Sequence, residues 1–141
     1  MKVLVDTSIW SYALRSKRKG FEAHAHELEA LVSDQRVIII GPVRQEILSG
    51  YSDQSKFEKL NNKLKYFQNT QVADDDYVQA AEFSNVCRSK GIQGSHTDFL
   101  ISAVAHRLNA EIFTTDNDFF HYRKHVPINL YELKAANTYE P

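Results

Sequence analysis

The sequence has little of several features that would assign it to particular protein classes. Its one cysteine, Cys87, excludes an intramolecular disulfide and fits a reducing compartment. No apolar run is long enough to cross a bilayer, and the N-terminal apolar segment, interrupted at Asp6, is too short for a signal peptide. Because 17 basic residues face 18 acidic ones, a protein that holds nucleic acid by bulk charge is disfavoured. We therefore expect a cytoplasmic protein without a membrane segment.

The composition is typical of one soluble globular domain. The chain has 141 residues, 43% of them hydrophobic, which is enough for one core. No internal repeat, low-complexity tract or linker divides it. We expect a single domain over residues 1–141, with a polar, loose tail at 131–141.

Short apolar runs alternate with segments of helical periodicity. Strands are predicted at 2–6, 37–40, 70–72, 112–115 and 127–130. Helices are predicted at 8–13, 21–35, about 42–51, 55–67, 73–90, 95–109 and 117–124. The unbroken apolar run at 37–40 indicates burial on both faces, as in a parallel sheet. The alternation predicts an α/β fold in which helices flank a central parallel sheet.

Acidic residues recur near the ends of the predicted strands. Asp6 ends the first strand, and Asp116 and Asp118 follow the fourth. Glu46 lies one turn into the helix after the second strand, and Asp98 opens the helix before the fourth. Because strand ends of one kind share an edge of a parallel sheet, these acids can converge although they are far apart in sequence.

Converging carboxylates predict a metal site. They repel one another, and burial raises their pKa values, so the cluster would cost stability unless a cation occupied it. Oxygen ligands match Mg²⁺ or Mn²⁺, whereas Zn²⁺ would favour Cys or His. Such an ion would activate water for phosphodiester cleavage. Thr7 and Thr115 are placed to orient carboxylates or a water molecule from behind the ligands.

Each acid also has a purely structural interpretation, as a helix cap, a capping-box partner or a solvated flank residue. Asp98, for example, could complete a capping box with Ser95. Asp6 is the hardest to explain in this way, because a strand that ends in Asp and hydroxyl residues is not by itself a helix start. Taken together, the acids favour the metal-site interpretation.

Four features in a fixed order resemble the PIN-domain ribonucleases. They are VDTS at 5–8, Glu46 after an Ile-rich strand, DFLISAVA at 98–105 and TTDNDF at 114–119. Within that superfamily the chain resembles VapC, the toxin of VapBC toxin–antitoxin modules, from Met1 to about Leu130. No single motif is specific, whereas the ordered set with its spacings is.

The resemblance implies a sheet of strand order 3-2-1-4-5 and a Mg²⁺- or Mn²⁺-dependent endoribonuclease. It matches the family's catalytic acids to Asp6, Glu46, Asp98 and Asp116. The metal ligands would be Asp6, Asp98, Asp116 and Asp118, and Thr115 matches a hydroxyl often found in the active site. The family also implies a homodimer and a cognate VapB-type antitoxin that blocks the site.

The resemblance would make RNA the substrate, with its phosphates held by basic side chains. The candidates are Arg15, Lys17, Arg18, Lys19 and Arg44. A solvated turn is an equally open interpretation of the loop at 15–19. The acidic run at 74–76 suits the first turn of a helix, and His24, His26 and His96 are predicted to be surface residues.

Three other functions remain open from the sequence. One is an RNA-processing PIN nuclease outside toxin–antitoxin systems. Another is a non-catalytic PIN-like binding module, which the complete set of acids disfavours. The third is a phosphoryl-transfer or receiver-type α/β domain, which would need a Lys near the last strands, and only Lys124 could serve.

Overall fold

A computed structural model describes residues 1–14 and 20–133 of the chain. Its strands are β1 (Val3–Val5), β2 (Val37–Ile38) and β3 (Glu111–Phe113). Its helices are α1 (Thr7–Leu14), α2 (Glu22–Ser33), α3 (Gly41–Ser49), α4 (Gln54–Leu64), α5 (Asp74–Ser89), α6 (His96–Leu108) and α7 (Asp118–Tyr122). The predicted α/β fold, with helices around a parallel sheet, is confirmed.

The described strands form a parallel sheet in the order β2-β1-β3. All three residues of β1 are fully buried, as expected of a central strand covered on both faces. In register, Leu4 lies opposite Ile38 on one side and Ile112 on the other. The first and the fourth predicted strands are therefore neighbours, as the alternation of strands and helices allows.

The five-strand order 3-2-1-4-5 is not confirmed, because neither predicted outer segment forms a strand. At 70–72, the Thr70 N–H donates to the Ile39 carbonyl at 2.7 Å, but the Gln71 carbonyl accepts from Arg107 instead of from the sheet. At 127–130, pairing is reduced to one parallel bridge between Leu130 and Ile112. The second strand is also shorter than predicted, because the Ile40 carbonyl accepts N–H groups of α3.

Helix α6 carries Asp98 and is the most deeply buried helix among the described residues. Ser95 caps its N-terminus, and Asn109 ends it in the left-handed conformation with φ 54°. Every residue from Phe99 to Ala105 is buried. Such a helix is packed on nearly all sides, so the start of α6 is held at a fixed place beside the sheet.

The segment that begins at Tyr131 is predicted to be a loose tail, but its first residue packs against the domain. The Tyr131 N–H donates to the Ile112 carbonyl at 2.8 Å, and the Tyr131 hydroxyl donates to the Glu27 carboxylate. Tyr131 is therefore packed against the domain and is not loose, whereas 134–141 lie outside the described residues. Among the described helices, none is both long and apolar enough to span a membrane.

Candidate active site at the carboxyl edge of the sheet

Asp6 lies at the carboxyl end of the central strand and is only 6% exposed. Its N–H donates to the Phe113 carbonyl at 2.9 Å, so the strand pairing continues to the acid. Its carboxylate accepts from the Thr7 N–H at 2.8 Å and from the Thr114 hydroxyl at 2.7 Å, with the Ser8 hydroxyl at 3.5 Å. Neutral donors from both strand ends thus fix the carboxylate.

Asp98 enters the same edge of the sheet from the first turn of α6. Its N–H donates to the Ser95 hydroxyl at 3.0 Å, so the predicted cap at Ser95 is present. The Asp98 carboxylate accepts a hydrogen bond of 2.7 Å from the Tyr122 hydroxyl. The side chain is therefore held from α7, a contact that the capping interpretation does not include.

Asp116 lies in the turn between β3 and α7, and Asp118 is the first residue of α7. The Asp116 N–H donates to the Thr114 hydroxyl at 3.0 Å, and the Asp118 N–H donates to the Asp116 carboxylate at 2.9 Å. Asp98, Asp116 and Asp118 each bring a carboxylate oxygen within 4.8 Å of the other two. The structure therefore brings together acids that lie up to 20 positions apart in the sequence.

Glu46 reaches the site from α3. It is exposed, and its carboxylate accepts a hydrogen bond of 2.6 Å from the Thr7 hydroxyl. Thr7 thus contacts Asp6 through its N–H and Glu46 through its side chain, as expected of a residue that orients carboxylates. The charge of Glu46 also contributes to the environment of Asp6.

The acids of this site oppose one another's ionisation. Burial, followed by the charges of Asp116 and Glu46, raises the pKa of Asp6 against the hydrogen bonds from Thr114 and Thr7. Burial, followed by the charges of Asp6 and Asp116, raises the pKa of Asp98 to about 6 despite its hydrogen bonds from Tyr122 and Ser95. Closely spaced acids of this kind are costly to ionise without a cation.

The donors fit a hard divalent cation. Each member of the cluster of Asp98, Asp116 and Asp118 offers carboxylate oxygen, with no Cys or His among them. Oxygen-only ligands suit Mg²⁺ and Mn²⁺ and do not suit Zn²⁺. Burial, together with repulsion from Asp6 and Asp116, raises the pKa of Asp98, and such an ion would relieve that repulsion. The residues therefore fit the predicted metal.

A protein-family comparison matches the model of the PIN domain to residues 3–125, most of the chain. The chain belongs to the PIN domain family. This assignment removes the receiver-type alternative. A comparison with curated proteins finds no match.

Solved structures agree with this PIN fold. FitAcB from Neisseria gonorrhoeae has a TM-score of 0.76 at 18% identity, over 95% of this chain and 99% of that one. VapBC2 from Rickettsia felis, bound to a DNA fragment from its promoter, has a TM-score of 0.74 at 21% identity, over 93% of this chain and 98% of that one. VapBC-1 from nontypeable Haemophilus influenzae has a TM-score of 0.73 at 16% identity, over 94% of this chain and 98% of that one. At these identities the likeness concerns the fold.

Of the two threonines that follow β3 in this PIN domain, Thr114 is the one whose hydroxyl donates to an acid of the site, Asp6. Thr115 is predicted, with Thr7, to orient the carboxylates, but its hydroxyl shares a 2.8 Å hydrogen bond with Tyr12. The strand register contains the signal for Thr114: Val5 pairs with Phe113, so the next residues, Asp6 and Thr114, lie side by side. Tyr122 has no comparable signal in the sequence and is not among the predicted site residues.

Arg44 has a structural place in the PIN domain. Its guanidinium donates to the Asn69 side chain at 2.9 Å, to the Leu64 carbonyl at 3.0 Å and to the Phe67 carbonyl. These contacts satisfy carbonyl groups at and just beyond the C-terminal end of α4. They give Arg44 a structural role, and RNA binding by Arg44 stays a prediction. Arg15, Lys17, Arg18 and Lys19 lie outside the described residues.

One prediction about other polar residues of the PIN domain needs correction, and another needs an addition. Asp76 lies in the first turn of α5, as predicted, and it is also 2% exposed and binds the Arg107 guanidinium through contacts of 2.8 to 3.0 Å. His24 is half-buried, with its ring 5.5 Å from that of Phe21 and 6.1 Å from that of Phe113. His26 and His96 are exposed, as predicted.

Proposed function

We propose that this PIN domain is a Mg²⁺- or Mn²⁺-dependent endoribonuclease that acts as a VapC-type toxin and is neutralised by a VapB-type antitoxin. The observation that carries the proposal is the convergence of Asp98, Asp116 and Asp118 beside the buried Asp6. In a PIN domain, such a cluster at the carboxyl edge of the sheet favours hydrolysis of a nucleic acid backbone over a non-catalytic binding role.

The chain's own residues have separate roles in this proposal. Asp98, Asp116 and Asp118 would hold the ion together with Asp6, the fourth predicted ligand, whose charge acts on Asp98. When bound, the ion supplies a Lewis acid that lowers the pKa of water and neutralises charge on the phosphodiester oxygens. Glu46, the exposed acid, would bind metal or accept the proton of the attacking water.

The supporting residues keep these acids in place. The Thr7 hydroxyl orients Glu46, and Thr114 joins Asp6 to the turn that carries Asp116. The near-neutral chain would depend on this site and on local basic side chains to hold RNA, because it has no excess of positive charge.

The partner and assembly proposals rest on the resemblance and on the solved structures. The VapBC structures from Rickettsia felis and Haemophilus influenzae have the same fold over nearly their whole chains. The sequence order of the acids resembles that of VapC toxins. These features support an antitoxin partner for this chain. The homodimer rests on the resemblance alone, and the cytoplasmic location rests on the composition of the sequence.

Cleavage of single-stranded RNA by the purified protein tests the proposal. We expect cleavage with Mn²⁺ or Mg²⁺ and none in EDTA. Asp98→Asn and Asp116→Asn should each lower the rate by more than the roughly 10–100-fold cost of losing an outer partner of a ligand. Asp75→Asn, an exposed acid of α5 outside the cluster, is the matched control and should cleave like wild type.

Two results would contradict the nuclease proposal. One is cleavage that persists in EDTA, and the other is cleavage by Asp116→Asn at the wild-type rate. Either result would place the activity outside this acidic cluster.

A further inference from the structure

Tyr122, at the end of α7, is the buried neighbour of the acidic cluster. It is fully buried, and its ring centroid lies 4.8 Å from that of Phe99 and 5.2 Å from that of Phe119. Its hydroxyl donates to Oδ2 of Asp98 at 2.7 Å. Because the two neighbouring rings fix the phenol, the direction of this hydrogen bond is fixed as well.

Gly94 makes room for that hydroxyl. A Cβ atom added at Gly94 would overlap the Tyr122 hydroxyl oxygen, and would lie 2.7 Å from the Tyr122 Cζ and 2.9 Å from a ring carbon of Phe99. The backbone of Gly94 is not in the left-handed region, so its φ does not require glycine. What the position requires is space for Tyr122.

We propose that Tyr122 is a positioning residue that holds the Asp98 carboxylate toward Asp116 and Asp118, and that Gly94 allows it to do so. The inference rests on the proposed metal site. The carboxylate torsion of an Asp is soft, so a fixed donor on one oxygen restricts where the other oxygen points. Partners behind a metal ligand commonly change metal affinity 10–100-fold when they are removed.

Tyr131 provides a matched control in the same chain. Its hydroxyl also donates to a carboxylate, that of Glu27, and it also lies next to an aromatic ring, that of Phe113. Glu27 is on α2 and is not one of the clustered acids. Tyr122→Phe and Tyr131→Phe therefore remove the same chemical group, one inside the site and one outside it.

The experiment measures Mn²⁺ affinity by calorimetry, and the thermal midpoint in EDTA, for the full chain and its variants. We expect Tyr122→Phe to raise the Kd for Mn²⁺ by roughly tenfold, and Tyr131→Phe to leave it unchanged. Gly94→Ala should weaken binding in the same direction, because it displaces the hydroxyl. The double variant of Gly94→Ala and Tyr122→Phe should weaken binding by less than the two single effects combined, since both changes act on the same hydrogen bond.

The outcomes separate this inference from the proposed function. If Asp98→Asn loses Mn²⁺ binding while Tyr122→Phe binds like wild type, the positioning role is overturned and the metal site stands. If both Tyr→Phe variants weaken binding equally, the effect is general loosening and the positioning role is again overturned. If wild type binds no Mn²⁺, the metal site fails and the inference fails with it.

Discussion

Asp6 and Asp76 are both nearly inaccessible to solvent, yet their surroundings have opposite effects on ionisation. Asp76 binds the Arg107 guanidinium, and although burial opposes ionisation, the hydrogen bonds from Arg107 and Ala73 lower its pKa. Asp6 forms no ion pair with a described basic side chain and accepts only neutral donors, and burial raises its pKa. Equal burial therefore does not mean equal roles.

The difference distinguishes a structural acid from a site acid. Asp76 has its cation within the chain and joins α5 to α6, and Arg107 reaches further to the Gln71 carbonyl. The acids around Asp6 and Asp98 raise one another's pKa and have no such partner among the described residues. A buried carboxylate without an internal cation is suited to an external one.

The largest expected effect is an opposite change in stability when one acid of each region is neutralised. Asp76→Asn should lower the free energy of unfolding by about 1–2 kcal/mol, less than the loss for a fully buried pair because Arg107 is 39% exposed. Asp98→Asn should leave it unchanged or raise it, because the substitution removes repulsion. Urea denaturation in EDTA at pH 7.5 measures both.

A matched variant keeps this comparison interpretable. Asp75→Asn removes one negative charge from the exposed side of the same helical turn and should change stability by less than about 0.5 kcal/mol. If Asp98→Asn destabilised the metal-free protein as much as Asp76→Asn does, the carboxylate of Asp98 would be a structural partner. The distinction between the two regions would then be wrong.

The pH dependence of stability in EDTA should also have opposite signs in the two regions. A pKa of about 6 for Asp98 lies above its unfolded value, so the native state binds more protons between about pH 4 and 6 and loses stability as pH rises through that window. Solvent screening limits this loss to roughly 1–2 kcal/mol. The pKa of Asp76 is lowered, so its contribution is present above about pH 4 and disappears as pH falls.

Difference curves isolate the two contributions. The stability of Asp98→Asn minus that of wild type should grow from about pH 4 to 6 and then stay level. The difference for Asp76→Asn should be constant above about pH 5 and shrink in acid. A flat difference for Asp98→Asn would mean that the Asp98 carboxyl group of the wild type titrates normally. Repulsion within the cluster would then not destabilise the folded protein.

The sequence predicts most of the fold because local and global signals agree. The strands predicted at 2–6 and 112–115 correspond to β1 and β3, and the stripe in α6 is buried as its periodicity indicates. The strand predictions at 70–72 and 127–130 are wrong, because whether an edge segment pairs depends on contacts with residues far away in the sequence. Gln71 is bound by Arg107, 36 positions away, and no local pattern reports that contact.

The acids of the site are the part that the sequence predicts, because carboxylates at strand ends suit only a few kinds of chemistry. Strand ends of one kind share an edge of a parallel sheet, so Asp6 and Asp116, which follow β1 and β3, could be named from the sequence. Their supporting residues could not, because Tyr122 reaches Asp98 only after α7 packs against α6. Arg107 could not be named as the partner of Asp76 for the same reason. The sequence around an acid at a helix start is the same whether or not a distant cation binds it.

The smallest expected effect separates two adjacent threonines and sharpens the contrast with Asp76. Thr114 bridges Asp6 and the Asp116 N–H, whereas Thr115 contacts Tyr12. Thr114→Val keeps the shape and removes the bridge, so the Kd for Mn²⁺ should rise by up to about tenfold. Thr115→Val is the control and should leave the Kd nearly unchanged in the same calorimetric titration. If the two variants weakened binding equally, neutral donors would not be what holds Asp6 in place, and the contrast with the guanidinium at Asp76 would lose its meaning.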